Sequence, residues 1–142
     1  MIFKVSFPVP KHGILKNGKL IRFNRKTNKS FIGKNDSVIY LERFLVSRLV
    51  RTKEVHELNT IESDISVCFK FYFPKEVYFT KKGPRSRKLP DLSNLYELPQ
   101  DCMIKAGIIL DDTLICSHDG SRRLVSPDEN YYLEIIVSTH HD

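Results

Sequence analysis

The sequence predicts an α+β fold: a single domain, residues 1–142, built on a mixed sheet with two principal helices. Three observations predict it. A chain of 142 residues fills one hydrophobic core and is too short for two ordinary ones. Hydrophobic residues make up 41% of it, with no internal repeat and no low-complexity segment, which is a globular composition. Branched and aromatic runs alternate with two stretches of helical apolar spacing, in the order strand, hairpin, helix, strand, helix, strand, strand.

Ile2-Phe3-Lys4-Val5-Ser6-Phe7 alternates loosely and reads as a first strand, ended by Pro8 and Pro10. Asn17-Gly18 lies between Ile14-Leu15 and Leu20-Ile21, the strongest short hairpin signal, and a second polar turn from Arg25 to Ser30 precedes Phe31-Ile32. This region, about 11–34, holds many of the early cations and reads as an exposed basic flap that includes Lys34. Asp36 or Ser37 can cap a helix to about Val50, whose stripe is Val38, Leu41, Leu45 and Leu49. A break is expected from Thr52 to Asn59. Ile61 to Phe73 is rich in branched and aromatic residues and reads as a strand.

Pro74 to Pro90 carries three prolines and a glycine and reads as a loop, at least in its second half. A second helix is expected from Asp91 to about Ala106, with Gly107 placed to stop it. Its apolar arc is Leu92, Leu95, Pro99, Cys102, Met103 and Ala106. Pro99 in mid-run costs a backbone hydrogen bond, so a kink or restart is expected near Leu98. Two strands, Thr113 to Ser117 and Asn130 to Ser138, close the fold around a polar loop at His118 to Asp128. His140-His141 reads as a frayed tail.

Lys and Arg outnumber Asp and Glu by 23 to 17, a net charge of +6 that favours a polyanionic partner. The cations cluster. Lys81, Lys82, Arg85, Arg87 and Lys88 place five positive charges in eight residues, ending three residues before Asp91. Carboxylates beside a cationic loop suit a metal-dependent nuclease, with acids for a hard cation and bases for a phosphate backbone. Each element also has a plainer reading: Asp91 as a helix cap behind Pro90, Asp111-Asp112 as a turn, the cations as a solvated loop. Cys68, Cys102 and Cys116 are odd in number without paired spacing, so free thiols in a reducing compartment are expected. Cys116 and His118 lack a second ligand pair for zinc. No secretory signal opens the chain and no run approaches eighteen apolar residues, so a soluble, cytoplasmic protein is expected.

From Lys88 to Asp112 the chain resembles the RusA-type Holliday junction resolvases, small endonucleases often carried by prophages. The matching residues are Asp91-Leu92, Asn94-Leu95, Asp101, Lys105-Ala106-Gly107 and Asp111-Asp112, in the family's order and spacing, and the opening Phe7-Pro8-Val9-Pro10 is similar to its apolar-proline start. Two positions depart: Ser93 stands where the family has an acid, and Glu97 where it has a lysine. The resemblance implies a RusA-like fold, a homodimer and Mg²⁺-dependent hydrolysis (Mn²⁺ as the alternative ion) of branched DNA, most of all four-way junctions, in recombination and repair. The metal ligands it implies are Asp91, Asp111 and Asp112, with Glu97 taking over from the lost acid. Asp91, Glu97, Asp112 and Lys105 would be catalytic, Lys105 in place of the missing lysine. Lys34, Lys81, Lys82, Arg85, Arg87 and Lys88 would hold DNA, and Ser93, Asn94, His118 and Asp119 would support the site from behind. A DNA-binding protein of the same fold with weak or lost cutting is the alternative.

Overall fold

The structure, a computed structural model, describes residues 1–10, 19–24, 29–34 and 36–140, with positions 19–24, 29–34 and 37 described in backbone only. Five strands form the main sheet: β1 (Phe3–Val9), β4 (Ile65–Phe73), β5 (Ile115–Ser117), β6 (Arg122–Val125) and β7 (Tyr131–Thr139). β2 (Lys19–Asn24) and β3 (Lys29–Lys34) make a separate antiparallel pair. The helices are α1 (Asp36–Val55), α2 (Lys75–Tyr78) and α3 (Glu97–Lys105). The fold is the mixed α+β domain expected. The expected Asn17-Gly18 turn, the centre of the Arg25 to Ser30 turn and the side chain of Lys34 lie outside the described residues and atoms.

β7 lies between β1 and β4, antiparallel to both. The far edge of β4 is shared: its start pairs with β5 and its end with β6, both parallel. One face of the sheet is apolar at every second residue, from Phe3 and Phe7 through Leu133, Ile135 and Val137 to Ile65, Val67, Phe69, Phe71 and Phe73, the period-two pattern of a half-buried sheet. The stripe Val38, Leu41, Leu45 and Leu49 of α1 and the buried Leu98, Cys102 and Met103 of α3 join the same core. Pro8 sits inside β1, opposite Tyr132, and does not end it. The strand is an edge, where a missing N–H is tolerated.

α1 runs four residues into the expected break, to Val55, and the rest of the break, 56–59, is not helical. Thr52 extends the buried stripe, and its hydroxyl donates to the Arg48 carbonyl one turn back at 2.9 Å. The helix ends when Glu57 turns left-handed (φ 51) and the Leu58 N–H reaches back to the Lys53 carbonyl at 3.0 Å, a Schellman closure made without glycine. α3 closes in the same way on Gly107 (φ 74), with the Ile108 N–H on the Met103 carbonyl at 2.9 Å. The expected long second helix is two pieces. A 3-10 turn covers Leu92–Leu95 and α3 begins at Glu97. Pro99 therefore falls in the first turn of α3, where N–H groups have no intrahelical acceptor and a proline costs little. β6 forms inside the expected polar loop, and His140 is tied by its N–H to the Asp64 carbonyl at 3.2 Å instead of fraying. Among the described residues no helix is long and apolar enough to cross a membrane.

Candidate functional site

The acidic pair is placed by a short ladder at the end of the core. After Gly107 the chain buries Ile108 and Ile109 and bridges Ile61: the Ile61 N–H donates to the Ile108 carbonyl at 2.9 Å, and the Leu110 N–H to the Ile61 carbonyl at 3.0 Å. The next residues, Asp111 and Asp112, emerge fully exposed at the edge that carries β5. Asp111 caps the 3-10 turn Asp112–Leu114, its Oδ1 accepting the Thr113 N–H at 3.0 Å. That bond, and a side-chain bond from Asp112, hold the Asp111 carboxyl below its ordinary range. Asp112 moves the other way, raised first by its hydrogen bond to Asp111, then by desolvation and by the charges of Asp111 and Asp101. Two carboxylates this close cannot both ionise at normal cost.

The direction of those shifts yields a prediction. On lowering the pH, Asp112 takes its proton first, above the usual carboxylate range, while Asp111 holds its charge below it. In Asp111→Asn the main push on Asp112 is gone, so its titration midpoint should fall. Carboxyl ¹³C chemical shifts recorded against pH check this; an unmoved midpoint would mean that the pair is not coupled.

Asp91 sits at the N-terminal end of the 3-10 turn Leu92–Leu95, with its carbonyl accepting the Asn94 N–H at 3.0 Å and its side chain making no cap bond. The plain cap role is therefore not filled by the carboxylate, which is exposed. What holds Asp91 in place is upstream: Leu89 is buried, and Arg123 on β6 donates from Nη1 to the Pro90 carbonyl at 3.0 Å. Ser93, Asn94 and Glu97 are exposed beside it. Glu97 and Asp101 are one turn apart on α3 and so share a face. Asp101 is near enough to Asp112 to raise its pKa and to Lys105 to do the same there.

Lys105 is committed elsewhere. Its ammonium pairs with the Glu42 carboxylate on α1, and that hydrogen bond is the main cause of its raised pKa. The pair joins the two helices beside the Cys102 thiol, which donates to the Glu42 carbonyl at 3.8 Å. The structure thus places Lys105, expected as a catalytic residue, in an interhelical contact. Since Lys105 is about half exposed, Glu42→Gln is expected to lower stability by less than about 1 kcal/mol, measured by urea unfolding.

The structure places His118 and Asp119, expected behind the acidic pair, at the turn between β5 and β6. His118 is packed flat on Tyr96, ring centroids 4.2 Å apart, and on Phe69 at 5.6 Å. Its Nδ1 lies 3.1 Å from the Val67 carbonyl; a carbonyl only accepts, so Nδ1 carries the proton. Burial pushes the His118 pKa down, which keeps the ring neutral at pH 7. The stack fastens the β5–β6 turn to Tyr96, between the 3-10 turn and α3. Asp119 and Gly120 (φ 84) form that turn, closed by the Ser121 N–H on the His118 carbonyl at 3.0 Å.

The basic segment is an ordered arm. Phe79 bridges Arg85, the Thr80 N–H donates to the Pro84 carbonyl at 2.8 Å, and the Ser86 N–H donates to the Tyr78 carbonyl at 2.8 Å, with Gly83 (φ 104) at the bend. Lys81, Lys82, Arg85, Arg87 and Lys88 are all exposed along it, and all of them but Lys82 line a concavity of about 590 Å³ together with Phe79. Lys88 and Asp91 are three positions apart, at most about 11 Å of chain.

Among the described residues no three His, Cys, Asp or Glu side chains gather into a group that would hold a metal. The expected ligand set of Asp91, Glu97, Asp111 and Asp112 is therefore not assembled: Asp111 and Asp112 are together, and Asp91 and Glu97 do not complete a cage with them. Their oxygens suit a hard cation in kind, and Mg²⁺ is commonly held by one or two carboxylates with water and phosphate completing its shell. Asp101, Tyr96, Glu42 and Arg123 are the residues that sequence reasoning left out of the site. Asp101 had a visible signal, four residues from both Glu97 and Lys105; the other three act through long-range contacts. No protein-family model matches the chain, and no curated protein matches it.

Proposed function

We propose that this chain is a divalent-cation-dependent endodeoxyribonuclease that binds and nicks branched DNA, with the four-way junction as its best substrate and a homodimer as its working form. The observation that carries this reading is the coupled pair Asp111–Asp112, under the further negative field of Asp101, in the same domain as an ordered arm of five exposed cations. Asp112, whose carboxylate is repelled by its neighbours, is the group that gains most from a cation. Asp111 and Asp112 would anchor Mg²⁺ (Mn²⁺ as the alternative), with Asp91 as a further ligand of the motif. Bound there, the ion would polarise the scissile phosphate and lower the pKa of an attacking water. Lys81, Lys82, Arg85, Arg87 and Lys88 would hold the flanking backbone. A C2 dimer would offer two such sites to a symmetric junction. A cytoplasmic setting suits Cys68, Cys102 and Cys116, none of which is joined in a disulfide.

The second reading, a junction-binding protein with weak or lost cutting, is favoured by two observations. Lys105 is held by Glu42, and Ser93 leaves one acid fewer beside Asp91. Incubation with Mg²⁺ and a labelled synthetic four-way junction, beside a linear duplex of the same length, tests both. Nicking of the junction supports the enzyme. Tight junction binding without nicking supports the second reading, and equal, weak binding of both DNAs overturns the two together.

A further inference from the structure

At the opposite edge of the sheet from the acidic pair, β1 has β7 on one side only and pairs with no other described strand. A groove of about 220 Å³ runs between this edge and the C-terminal half of α1. Arg48, Arg51 and His56 give it a basic wall, and Val5, Phe7 and Val55 an apolar one. Among the described residues no carboxylate lines it. The Arg48 guanidinium lies over the rings of Phe7 and Phe44, 5.6 and 5.7 Å from their centroids, and the Phe3 and His56 rings are 6.3 Å apart. Ring contacts of this kind orient an arginine while leaving its edge N–H groups for an acceptor. Among the described residues neither arginine has an acidic partner. Val55, at 67% exposed, is an apolar side chain left in water beside two arginines.

We infer that this groove binds an extended acidic segment of a partner protein, added as one more strand on β1. A free strand edge supplies main-chain N–H and C=O groups to such a segment, and side chains then project to alternate faces. Every second residue of the added strand faces α1. Carboxylates at those positions meet Arg48 and Arg51, and an apolar residue meets Val5 and Val55. The charge is complementary to a peptide and the shape favours it over a duplex. A DNA backbone is broad and convex and seeks cations on projecting arms, such as the Phe79 to Lys88 segment; a groove of about 220 Å³ with one wall of valine and phenylalanine gives phosphates little return on desolvation against that wall. The groove lies at least three strand spacings, about 14 Å, from β5 and the acidic pair, and its role is independent of the nuclease reading.

Selection from a displayed library of random 12-residue peptides on the full chain tests the proposal, with Arg48→Glu/Arg51→Glu as counter-target. Enrichment of Asp or Glu at alternate positions is expected. A synthetic copy of the strongest peptide should bind the double variant roughly tenfold or more weakly and protect the amides of β1 from hydrogen exchange. Val55→Asp, an exposed change that leaves the core intact, should weaken the same peptide by like-charge repulsion. Three results overturn the inference: peptides without acidic alternation, or none; equal affinity for wild type and both variants; and an Arg48→Glu/Arg51→Glu effect that falls on duplex DNA binding or on self-association in sedimentation instead of on the peptide.

Discussion

Asp112→Asn is expected to lower the rate of junction nicking by at least about 100-fold, with junction binding changed by no more than a few-fold. Asp112 is the member of the acidic pair whose ionised form is held at a cost by Asp111 and Asp101. A divalent cation relieves that cost, so the carboxylate should be central to ion binding. DNA affinity rests instead on the exposed cations of the Phe79 to Lys88 arm, which the substitution leaves in place. The fold should be indifferent to the change, because Asp112 is exposed and the local cap is made by Asp111. Asp111→Asn is the control: asparagine can keep the bond to the Thr113 N–H, so a loss of nicking there is electrostatic and not structural. Single-turnover nicking beside a gel-shift titration gives both quantities. Wild-type nicking by Asp112→Asn would remove the acidic pair from any catalytic role.

Phe69→Ala should destabilise the fold by about 3–5 kcal/mol, a large share of the ~5–15 kcal/mol that holds a domain of this size. Phe69 is completely buried on β4, the strand that pairs with β7, β5 and β6. Its ring packs against Phe71 at 5.9 Å, Tyr96 at 5.8 Å and His118 at 5.6 Å. The loss therefore combines a cavity with lost support for the Tyr96 and His118 rings. Those rings link the β5–β6 turn to the start of α3, so hydrogen exchange around Tyr96 should rise even where the variant stays folded. Urea unfolding measures the first effect. A cost below about 1 kcal/mol would mean that the surrounding side chains collapse into the space.

The apolar periodicities were legible because they are local. Val38, Leu41, Leu45 and Leu49 are buried on α1 as their spacing requires, and the alternation through β4 and β7 faces the core. Boundaries set by distant contacts were not. α1 runs four residues into the expected break because Thr52 finds a place in the core, and it stops on a left-handed glutamate that carries no stop signal. Gly107, which needs no such support, was read correctly. Pro99 predicts a kink or a restart near Leu98, and the structure has the restart. The chain ends a 3-10 turn first and then restarts, which puts the proline where it is harmless. β6 was missed because Arg122 to Val125 is short and lacks apolar alternation; it is a strand only because β4 offers an unoccupied edge beyond β5.

By itself the sequence determined the α+β class, the core faces, the cationic run and the adjacency of Asp111 and Asp112, since each depends on spacing along the backbone. Only the tertiary structure decided who partners whom. It turned Lys105 to Glu42, used His118 as a packed neutral ring, brought the charge of Asp101 to bear on Asp112, and left Asp91 and Glu97 outside a closed ligand cage. The physical reason is the range of the forces. Periodicity and turn chemistry act within a few residues, whereas ion pairing and ring stacking depend on which surfaces the core brings together.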